Sequence, residues 1–323
     1  MNPERTARDP NGQFWLRNRV LVTGGGGFVG SAVRDALRRR GVPESRIVAP
    51  ASRSFDLRVL DNCRQVVQGC GIIIHLAART GAIDFARAHP ASQYRDCSLI
   101  NLNMLEAARE ASVAKFVALG NLLAYPAIAQ TPLMESRLHD GAVAATHSGI
   151  GLAKRDLVML AEMYHREYGL DAVCVLGANA YGPRDRFDPA HAHVIPATIM
   201  KCLRDEDLVV WGDGTPTRDF LYVDDLAEGI LLAAERLAAP GHVNVASGSE
   251  VSIANLVKII AGLCGFRRRI VFDASKGGGD PHRVASTSMA SSLIGFAPQV
   301  PLEKGLRRTI DWYLQTTPTA VAR

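Results

Sequence analysis

The feature that most constrains the fold of this chain is a short apolar strand followed by four glycines and an amphipathic helix. Residues 19–23 read RVLVT, residues 24–27 are glycine, and apolar residues then recur at helical spacing between residues 29 and 37. Glycines in such a turn let the backbone approach a pyrophosphate, which the N-terminus of the following helix attracts. Because the motif lies between a predicted strand and a predicted helix, it favours a dinucleotide site over a flexible turn. The residues predicted to contact the cofactor here are Gly24, Gly27, Phe28, Val29 and Gly30.

Apolar strands and helices alternate along the first half of the chain. Further strands are predicted at residues 47–48, 71–75, 115–119 and 172–176, with helical stretches between them. This alternation predicts the α/β class, with a Rossmann-type doubly wound parallel sheet. Beyond Tyr181 the pattern becomes irregular, with a helix predicted near residues 196–204 and a strand and helix across residues 221–236. We therefore expect a smaller α/β C-terminal lobe for the substrate, formed by residues 181–218 plus 247–323, beside a cofactor domain of residues 1–180 plus 219–246.

Charge and cysteine content argue against several classes of function. The net charge is +5, but Lys and Arg are spread along the chain, which suits phosphorylated small molecules better than nucleic acid. Six cysteines occur without a CxxC pair, a pattern typical of reduced thiols rather than of a disulfide framework or a zinc site. No apolar run approaches the ~20 residues of a membrane span, and the first residues lack the apolar segment of a signal peptide. We expect a cytoplasmic protein that binds neither membranes nor nucleic acid and holds no metal.

The residues after the second strand indicate which nicotinamide cofactor is bound. That strand is followed by residues 49–53, which include no acidic side chain to hold a ribose 2′-hydroxyl. Arg53 is instead in a position to pair with a 2′-phosphate, which favours NADP over NAD. An exposed loop arginine is nearly as good an interpretation of Arg53, so NAD remains the alternative. Adenine and backbone contacts are predicted for Asp56, Leu57, Leu76, Ala77 and Ala78.

Several sequence blocks occur in the order and spacing of a known superfamily. They are TGGGGFVG at residues 23–30, HLAA at 75–78, GLAK at 151–154 and NAYGP at 179–183. In these blocks the chain resembles the extended short-chain dehydrogenase/reductase superfamily, in its NAD-dependent epimerase/dehydratase group, and it is similar to the GDP-L-fucose synthase family across roughly residues 15–316. The resemblance implies a nucleotide-diphosphate sugar as substrate, GDP-linked, and a homodimer formed through helices that start near Pro90 and Ile150. The apolar stripes of these two helices could equally belong to the core of a monomer.

The catalytic positions of that family are only partly matched. In the family a Ser or Thr and a Tyr act on the sugar C4 oxygen, a Lys holds the nicotinamide ribose, and a Cys and a His exchange protons at C3 and C5. By resemblance Lys154 is the Lys and also contacts the cofactor, and His193 is the His. Asn121 replaces the Ser or Thr, Ile150 replaces the Tyr, and Leu123 replaces the Cys. Because losing a general acid lowers a rate about 10²–10⁴-fold, we do not expect ordinary ketone reduction.

The residues that remain suggest a proton transfer without net redox change. The Asn121 amide N–H groups could hydrogen-bond a substrate carbonyl and stabilise an enolate. His193 could then move a proton at the carbon next to a ketone, with Lys154, Tyr125 or His147 as a second group. This combination predicts a redox-neutral epimerisation or isomerisation of an oxidised sugar.

Other side chains are predicted to bind the substrate or to be structural. Arg218 and Arg283 are candidates for the diphosphate, with surface ion pairs as the alternative, and Trp211 either stacks on a base or packs. Residues 224–225, both Asp, are interpreted as structural. The predicted substrate-binding residues are Asn179, His193, Lys201, Trp211, Arg218 and Arg283.

Two other classes of function remain open. Cys97 carries a thiol where the family usually has Asn, so four site positions depart from the pattern. The chain could be a catalytically inactive homologue that acts as a partner subunit or sensor. It could also be a scaffold reused for cyclisation or elimination on a non-sugar metabolite, because one fold supports many chemistries.

Overall fold

The computed structural model describes residues 13–81, 83–189, 191–204, 206–276 and 282–317. The ends of the predicted domains, residues 1–12 and 318–323, lie outside the described residues. The described strands are β1 (Val20–Thr23), β2 (Ile47–Val48), β3 (Ile72–His75), β4 (Lys115–Asn121), β5 (Ala172–Gly177), β6 (Asn179–Tyr181), β7 (Leu208–Trp211), β8 (Thr217–Tyr222), β9 (Gly241–Val245), β10 (Glu250–Ser252), β11 (Ile270–Asp273) and β12 (His282–Arg283). The described helices are α1 (Phe28–Arg39), α2 (Leu60–Val67), α3 (Ile83–Ala88), α4 (Pro90–Glu110), α5 (Ser148–Tyr168), α6 (Val194–Cys202), α7 (Val223–Arg236), α8 (Ile253–Leu263), α9 (Ser288–Ile294) and α10 (Leu302–Thr316).

The larger sheet has six parallel strands in the order β2-β1-β3-β4-β5-β9. Helices cover it in two groups, with α4 packed against α2 and α5, and α1 packed against α7. Every residue of β1, β3 and β5 is buried, which explains why these strands are almost continuously apolar in the sequence. The predicted Rossmann-type α/β fold is confirmed, and the five predicted strands of this sheet occur within two residues of their expected ends.

The smaller lobe has its own sheets and its own apolar core. Strands β10, β8 and β12 form one sheet in that order, β6 also pairs with β8, and β7 pairs with β11. A separate cluster of buried side chains fills this lobe, including Ile195, Ile199, Leu256 and Ile260. The predicted domain boundary at residue 219 falls inside β8, because Asp219 pairs with Glu250 of β10. The assignment of residues to two domains stays a prediction.

Several local features follow from ordinary packing. All six cysteines are free thiols, and five of them are buried. In the described ranges, no helix is both long and apolar enough to cross a membrane. Asp225 lies in the first turn of α7, and one of its carboxylate oxygens accepts hydrogen bonds from the Gln299 and Val300 backbone N–H groups at 3.0 and 2.9 Å. These contacts agree with the structural interpretation of the paired aspartates.

Candidate functional site

The loops that follow β1 and β3 lie together at the carboxyl edge of the large sheet. In the sheet, β2 and β3 lie on opposite sides of β1, so a crevice opens between the loop after β1 and the loop after β3. Gly24 has a φ of +67°, and a Cβ atom added there would lie 3.2 Å from the Ala77 backbone nitrogen. Glycine therefore lets the two loops approach, and the predicted contact residues Leu76, Ala77 and Ala78 line the same crevice as the glycine turn.

The turn into α1 is built to leave backbone N–H groups available. A Cβ atom at Gly30 would overlap the carbonyl oxygen of Gly24, so the helix can pack on the turn only with glycine here. Helix α1 begins at Phe28 after Gly27, with no side-chain cap and no acidic residue in its first turn. Its first N–H groups and its dipole therefore favour an anionic group such as a pyrophosphate.

The adenosine side of the crevice carries both signs of charge. Arg53 is exposed in the turn that follows β2, where a 2′-phosphate could be paired. The Asp56 carboxylate is held by Arg58, whose Nη2 donates to it at 2.7 Å, and this hydrogen bond lowers the pKa of Asp56. Leu57 is buried, and its carbonyl accepts a hydrogen bond from the Asn103 side chain at 3.2 Å. Side-chain contact of Asp56 with adenine stays a prediction.

A buried chain of hydrogen bonds, which the sequence analysis missed, runs from the end of β1 to α5. The Thr23 hydroxyl accepts the N–H groups of Leu76 and Ala77 at 3.0 and 3.1 Å, so its own proton is directed to His75 Nδ1 at 2.9 Å. His75 Nε2–H then donates to Asn101 Oδ1 at 3.2 Å, and the Asn101 amide donates to the Ala153 carbonyl at 3.1 Å. Burial, followed by the charge of nearby Lys154, lowers the pKa of His75 to about 3. His75 is therefore a neutral link between the cofactor turn and α5.

The position expected for the catalytic tyrosine is filled by an apolar cluster. Ile150 is 5% exposed and clusters with Cys97 and Ala153, while Ala78 and Leu123 pack against them. Burial raises the pKa of the Cys97 thiol, which keeps that thiol protonated. The residues that replace the family's Tyr, Cys and Asn therefore come together, and they form a surface without an ionised group.

Lys154 is also buried, one turn after Ile150. Its Nζ donates to the Leu119 carbonyl at 2.6 Å, and burial lowers the pKa of the amine. The lysine thus contacts the backbone of β4 instead of a tyrosine hydroxyl.

Asn121 and Tyr125 lie close in sequence but have different surroundings. Asn121 is the half-buried last residue of β4, and its Oδ1 accepts the Leu123 N–H at 3.2 Å. That bond does not use the side-chain NH2 group. Tyr125 is fully buried, and its hydroxyl donates to Asn244 Oδ1 at 2.8 Å in the core. The interpretation of Tyr125 as a second catalytic group is wrong, because its hydroxyl is enclosed by packed side chains.

His193 is exposed at the start of α6, at the end of a loop that is anchored to other elements. In that loop Phe187 stacks on Tyr313 with ring centroids 4.3 Å apart. His191, two residues before His193, contacts the Asp188 carboxylate at 2.7 Å. Among the described residues, no group of three His, Cys, Asp or Glu side chains could hold a metal ion. His193 is therefore an exposed imidazole at the start of α6, and its role toward a substrate stays a prediction.

The predicted substrate residues of the smaller lobe contact their neighbours in different ways. The Asn179 amide donates to the Asp219 carbonyl at 3.0 Å, and Lys201 Nζ donates to the Val209 carbonyl at 2.7 Å. Trp211 is 52% exposed, with Lys276 Nζ lying 5.6 Å from its ring centroid, so it is available for stacking. Arg218 is half-buried, and its Nη1 donates to the Thr217 carbonyl at 2.7 Å.

Arg283 is placed differently from its predicted role. It is 3% exposed, and its guanidinium donates to the carbonyls of Leu122 at 2.5 Å and Pro126 at 3.5 Å. A buried guanidinium directed at backbone carbonyls favours a structural role over direct contact with a diphosphate. No sequence pattern could predict this placement, because the partners are backbone atoms 157 and 161 residues away.

Comparisons with known proteins agree with this geometry. The family profile described as NAD dependent epimerase/dehydratase matches residues 20–246. GDP-L-fucose synthase of Escherichia coli (strain K12) is 34% identical over 319 residues, covering 93% of this chain and 97% of the relative. GDP-L-fucose synthase 1 of Arabidopsis thaliana is 32% identical over 306 residues, covering 92% and 93%. The crystal structure of a GDP-L-fucose synthetase from Naegleria fowleri bound to NADP has a TM-score of 0.83 at 27% identity, covering 94% of this chain and 95% of that one.

Proposed function

The chain belongs to the NAD dependent epimerase/dehydratase family, and from this premise we propose that it binds NADP and a GDP-linked sugar and epimerises or isomerises that sugar without net redox change. The observation that carries the proposal is the apolar cluster around Ile150. Reduction of a ketone needs a proton donor at the sugar C4 oxygen, and Ile150 has no proton to give. The exposed imidazole of His193 and the amide of Asn121 remain for proton transfer.

NADP is the proposed cofactor because of three features of the crevice. The glycine turn and the uncapped start of α1 suit a pyrophosphate, residues 49–53 after β2 include no acidic side chain, and Arg53 is exposed in the turn that follows β2. The solved relative from Naegleria fowleri is bound to NADP. NADP would supply hydride transfer to a redox reaction, which the proposed epimerisation does not use. NAD is the alternative. If Arg53 does not pair with a 2′-phosphate, NAD should bind to the wild-type protein at least as tightly as NADP.

The proposed mechanism begins with proton abstraction by His193. The imidazole removes a proton from the carbon next to the substrate ketone, and the electron pair of that C–H bond moves onto the carbonyl oxygen. The Asn121 NH2 group donates a hydrogen bond to the resulting enolate oxygen. Return of a proton to the opposite face of the carbon gives the epimer. No electrons leave the substrate, so the reaction consumes no NADPH.

The proton on the opposite face needs a second donor. Lys154 is buried against the Leu119 carbonyl, and the Tyr125 hydroxyl is in the core. His147 is half-buried just before α5, with its Nδ1 3.0 Å from the Thr146 hydroxyl. We propose that His147 or solvent returns this proton.

The test is deuterium incorporation into GDP-4-keto-6-deoxymannose in D₂O. His193→Asn should abolish the incorporation, and Asn121→Ala should lower its rate about 10²–10³-fold, because the enolate loses its donor. His282→Asn is a matched control, since His282 is a histidine of the smaller lobe whose side chain is 59% exposed. Incorporation that persists at the wild-type rate in His193→Asn would contradict the assignment.

A catalytically inactive homologue is the second candidate. The observation that favours it is that Lys154 is turned into the β4 backbone and that apolar side chains fill the tyrosine position. This candidate predicts NADP or partner binding with no deuterium incorporation into any keto-sugar, and a single detected product would eliminate it.

Assembly as a homodimer is proposed from the outer faces of α4 and α5. Both helices expose large apolar side chains that a partner copy would cover: Tyr94, Leu99, Leu102, Leu152, Met159 and Met163. Native mass spectrometry should give the dimer mass, and charged substitutions at Leu99 and Met159 should give the monomer. We also propose a cytoplasmic location for the protein.

A further inference from the structure

Two arginines from different parts of the chain hold the segment that follows Asn121. Arg283 donates to the carbonyls of Leu122 and Pro126 at 2.5 and 3.5 Å. Arg155 donates through Nε to the Ala124 carbonyl at 2.7 Å, and through Nη1 to the Gly141 carbonyl at 2.7 Å. Alternate carbonyls of residues 122–126 are thus bound by two guanidinium groups.

The two arginines belong to different parts of the fold. Arg155 lies on α5, directly after Lys154, in the cofactor domain. Arg283 lies in β12 of the smaller lobe, where it pairs in register with Arg218 of β8. The chain after Arg283 then runs along Leu133, with backbone hydrogen bonds between Leu133 and Val284 at 2.8 Å and between Ser286 and Leu133 at 2.9 Å. The segment is therefore fixed by both lobes.

Because Arg283 is buried, its guanidinium group depends on hydrogen bonds to protein atoms. A guanidinium that is 3% exposed needs hydrogen-bond acceptors, and the carbonyls of the segment supply them. Burial lowers the pKa of Arg155, and the nearby charge of Arg283 lowers it further. The carbonyls of the segment thus serve as acceptors for both guanidinium groups, and these hydrogen bonds restrain its backbone.

We propose that Arg283 is a positioning residue, whose hydrogen bond to the Leu122 carbonyl fixes the peptide next to Asn121 and so directs the Asn121 amide toward the substrate. This inference rests on the proposed function, in which the Asn121 amide stabilises an enolate. It replaces the prediction that Arg283 binds the diphosphate, and it makes the contact between β12 and residues 122–126 a condition for an ordered site.

The test uses Arg283→Gln and Arg283→Lys in the full chain, with three measurements. Deuterium incorporation into GDP-4-keto-6-deoxymannose should fall about 10- to 100-fold in kcat for Arg283→Gln, with KM changed less than about threefold, because misplacing a catalytic group by 1 Å can lower a rate 10²-fold. Arg283→Lys should recover most of that loss, since an ammonium can still donate to one carbonyl. Amide hydrogen exchange should accelerate at Leu123, Tyr125 and Ala127 in Arg283→Gln and stay unchanged in the central sheet.

GDP binding separates positioning from diphosphate contact. Calorimetry with GDP should give a Kd for Arg283→Gln within about threefold of wild type, because the residue does not touch the ligand. Arg218→Gln, its register partner, is the matched comparison: GDP affinity should fall at least tenfold, about 1.4 kcal/mol, with amide exchange at residues 122–127 unchanged.

Three results would overturn the inference. A tenfold loss of GDP affinity in Arg283→Gln with unchanged amide exchange would make Arg283 a diphosphate ligand. Unchanged amide exchange in a fully active Arg283→Gln would remove the positioning role while leaving the proposed function intact. If the wild-type protein incorporates no deuterium, the proposed function fails, and the catalytic purpose assigned to Arg283 fails with it.

Discussion

Lowering the pH should destabilise the folded protein through His75. This histidine is completely buried between the Thr23 hydroxyl and the Asn101 side chain, and its pKa is lowered from 6.5 to about 3, chiefly by burial. In the unfolded chain the imidazole regains its ordinary pKa. The unfolded state therefore binds a proton that the folded state does not, and stability falls as the pH drops below 6.5 toward 3.

The size of the effect follows from these two pKa values. At pH 5 the unfolded imidazole is almost fully protonated while the folded one is neutral. Because pH 5 lies about 1.5 units below the ordinary pKa, the unfolded state gains about 2 kcal/mol relative to the folded state. Below pH 3 the loss reaches its limit of about 5 kcal/mol. A change of this size is a large fraction of the 5–15 kcal/mol that typically holds a domain folded, so it should be measurable.

Urea unfolding at pH 8 and pH 5 measures this loss directly. The difference in free energy of unfolding between the two pH values should be about 2 kcal/mol larger in the wild type than in His75→Asn, because Asn does not titrate. His242 also has a pKa lowered by burial, but it is present in both proteins and cancels in the comparison. Equal pH dependence in wild type and His75→Asn would refute the reasoning.

Four further substitutions test other parts of the structure. Gly30→Ala should lower the free energy of unfolding by more than about 2 kcal/mol, because the added Cβ would overlap backbone atoms. Gly262→Ala, in open space on α8, should raise the free energy of unfolding by about 0.5–1 kcal/mol. Thermal unfolding measures both changes. Ile150→Tyr should lower the free energy of unfolding by about 1–3 kcal/mol through overpacking. The same variant should increase NADPH consumption with a keto-sugar about 10²-fold, measured by NADPH absorbance. No increase would show that the tyrosine is not the missing group. Asp225→Asn should lower stability by about 1–3 kcal/mol without changing the rate of deuterium incorporation, since its carboxylate only accepts backbone N–H groups.

The sequence predicted those parts of the fold that depend on local pattern. The strand, glycine turn and helix at residues 20–39 were predictable because each one selects residue types over a short stretch of sequence. Burial on both faces selects apolar residues, a positive φ at residue 24 selects glycine, and the buried face of the helix selects apolar residues at helical spacing. The strand boundaries at β2 and β5 followed for the same reason. The profile match and the relatives then agree with the family inferred from four short blocks.

Residues whose role depends on distant partners could not be predicted in the same way. His75 and Asn101 become a buried relay only because β3 and α4 bring them together. Tyr125 looked available from the sequence but is enclosed through Asn244 of β9, 119 residues away. Long side chains such as Arg283 choose among many acceptors, and only the packing of the two lobes decides which.

The most direct test of the central claim is to incubate the wild-type protein with NADPH and GDP-4-keto-6-deoxymannose in D₂O, and to follow NADPH absorbance together with the mass of the sugar nucleotide. We predict that the sugar gains deuterium at a carbon next to the ketone while NADPH is not consumed. Stoichiometric NADPH oxidation with formation of a reduced sugar would contradict it, because the site would then supply the proton that Ile150 cannot give.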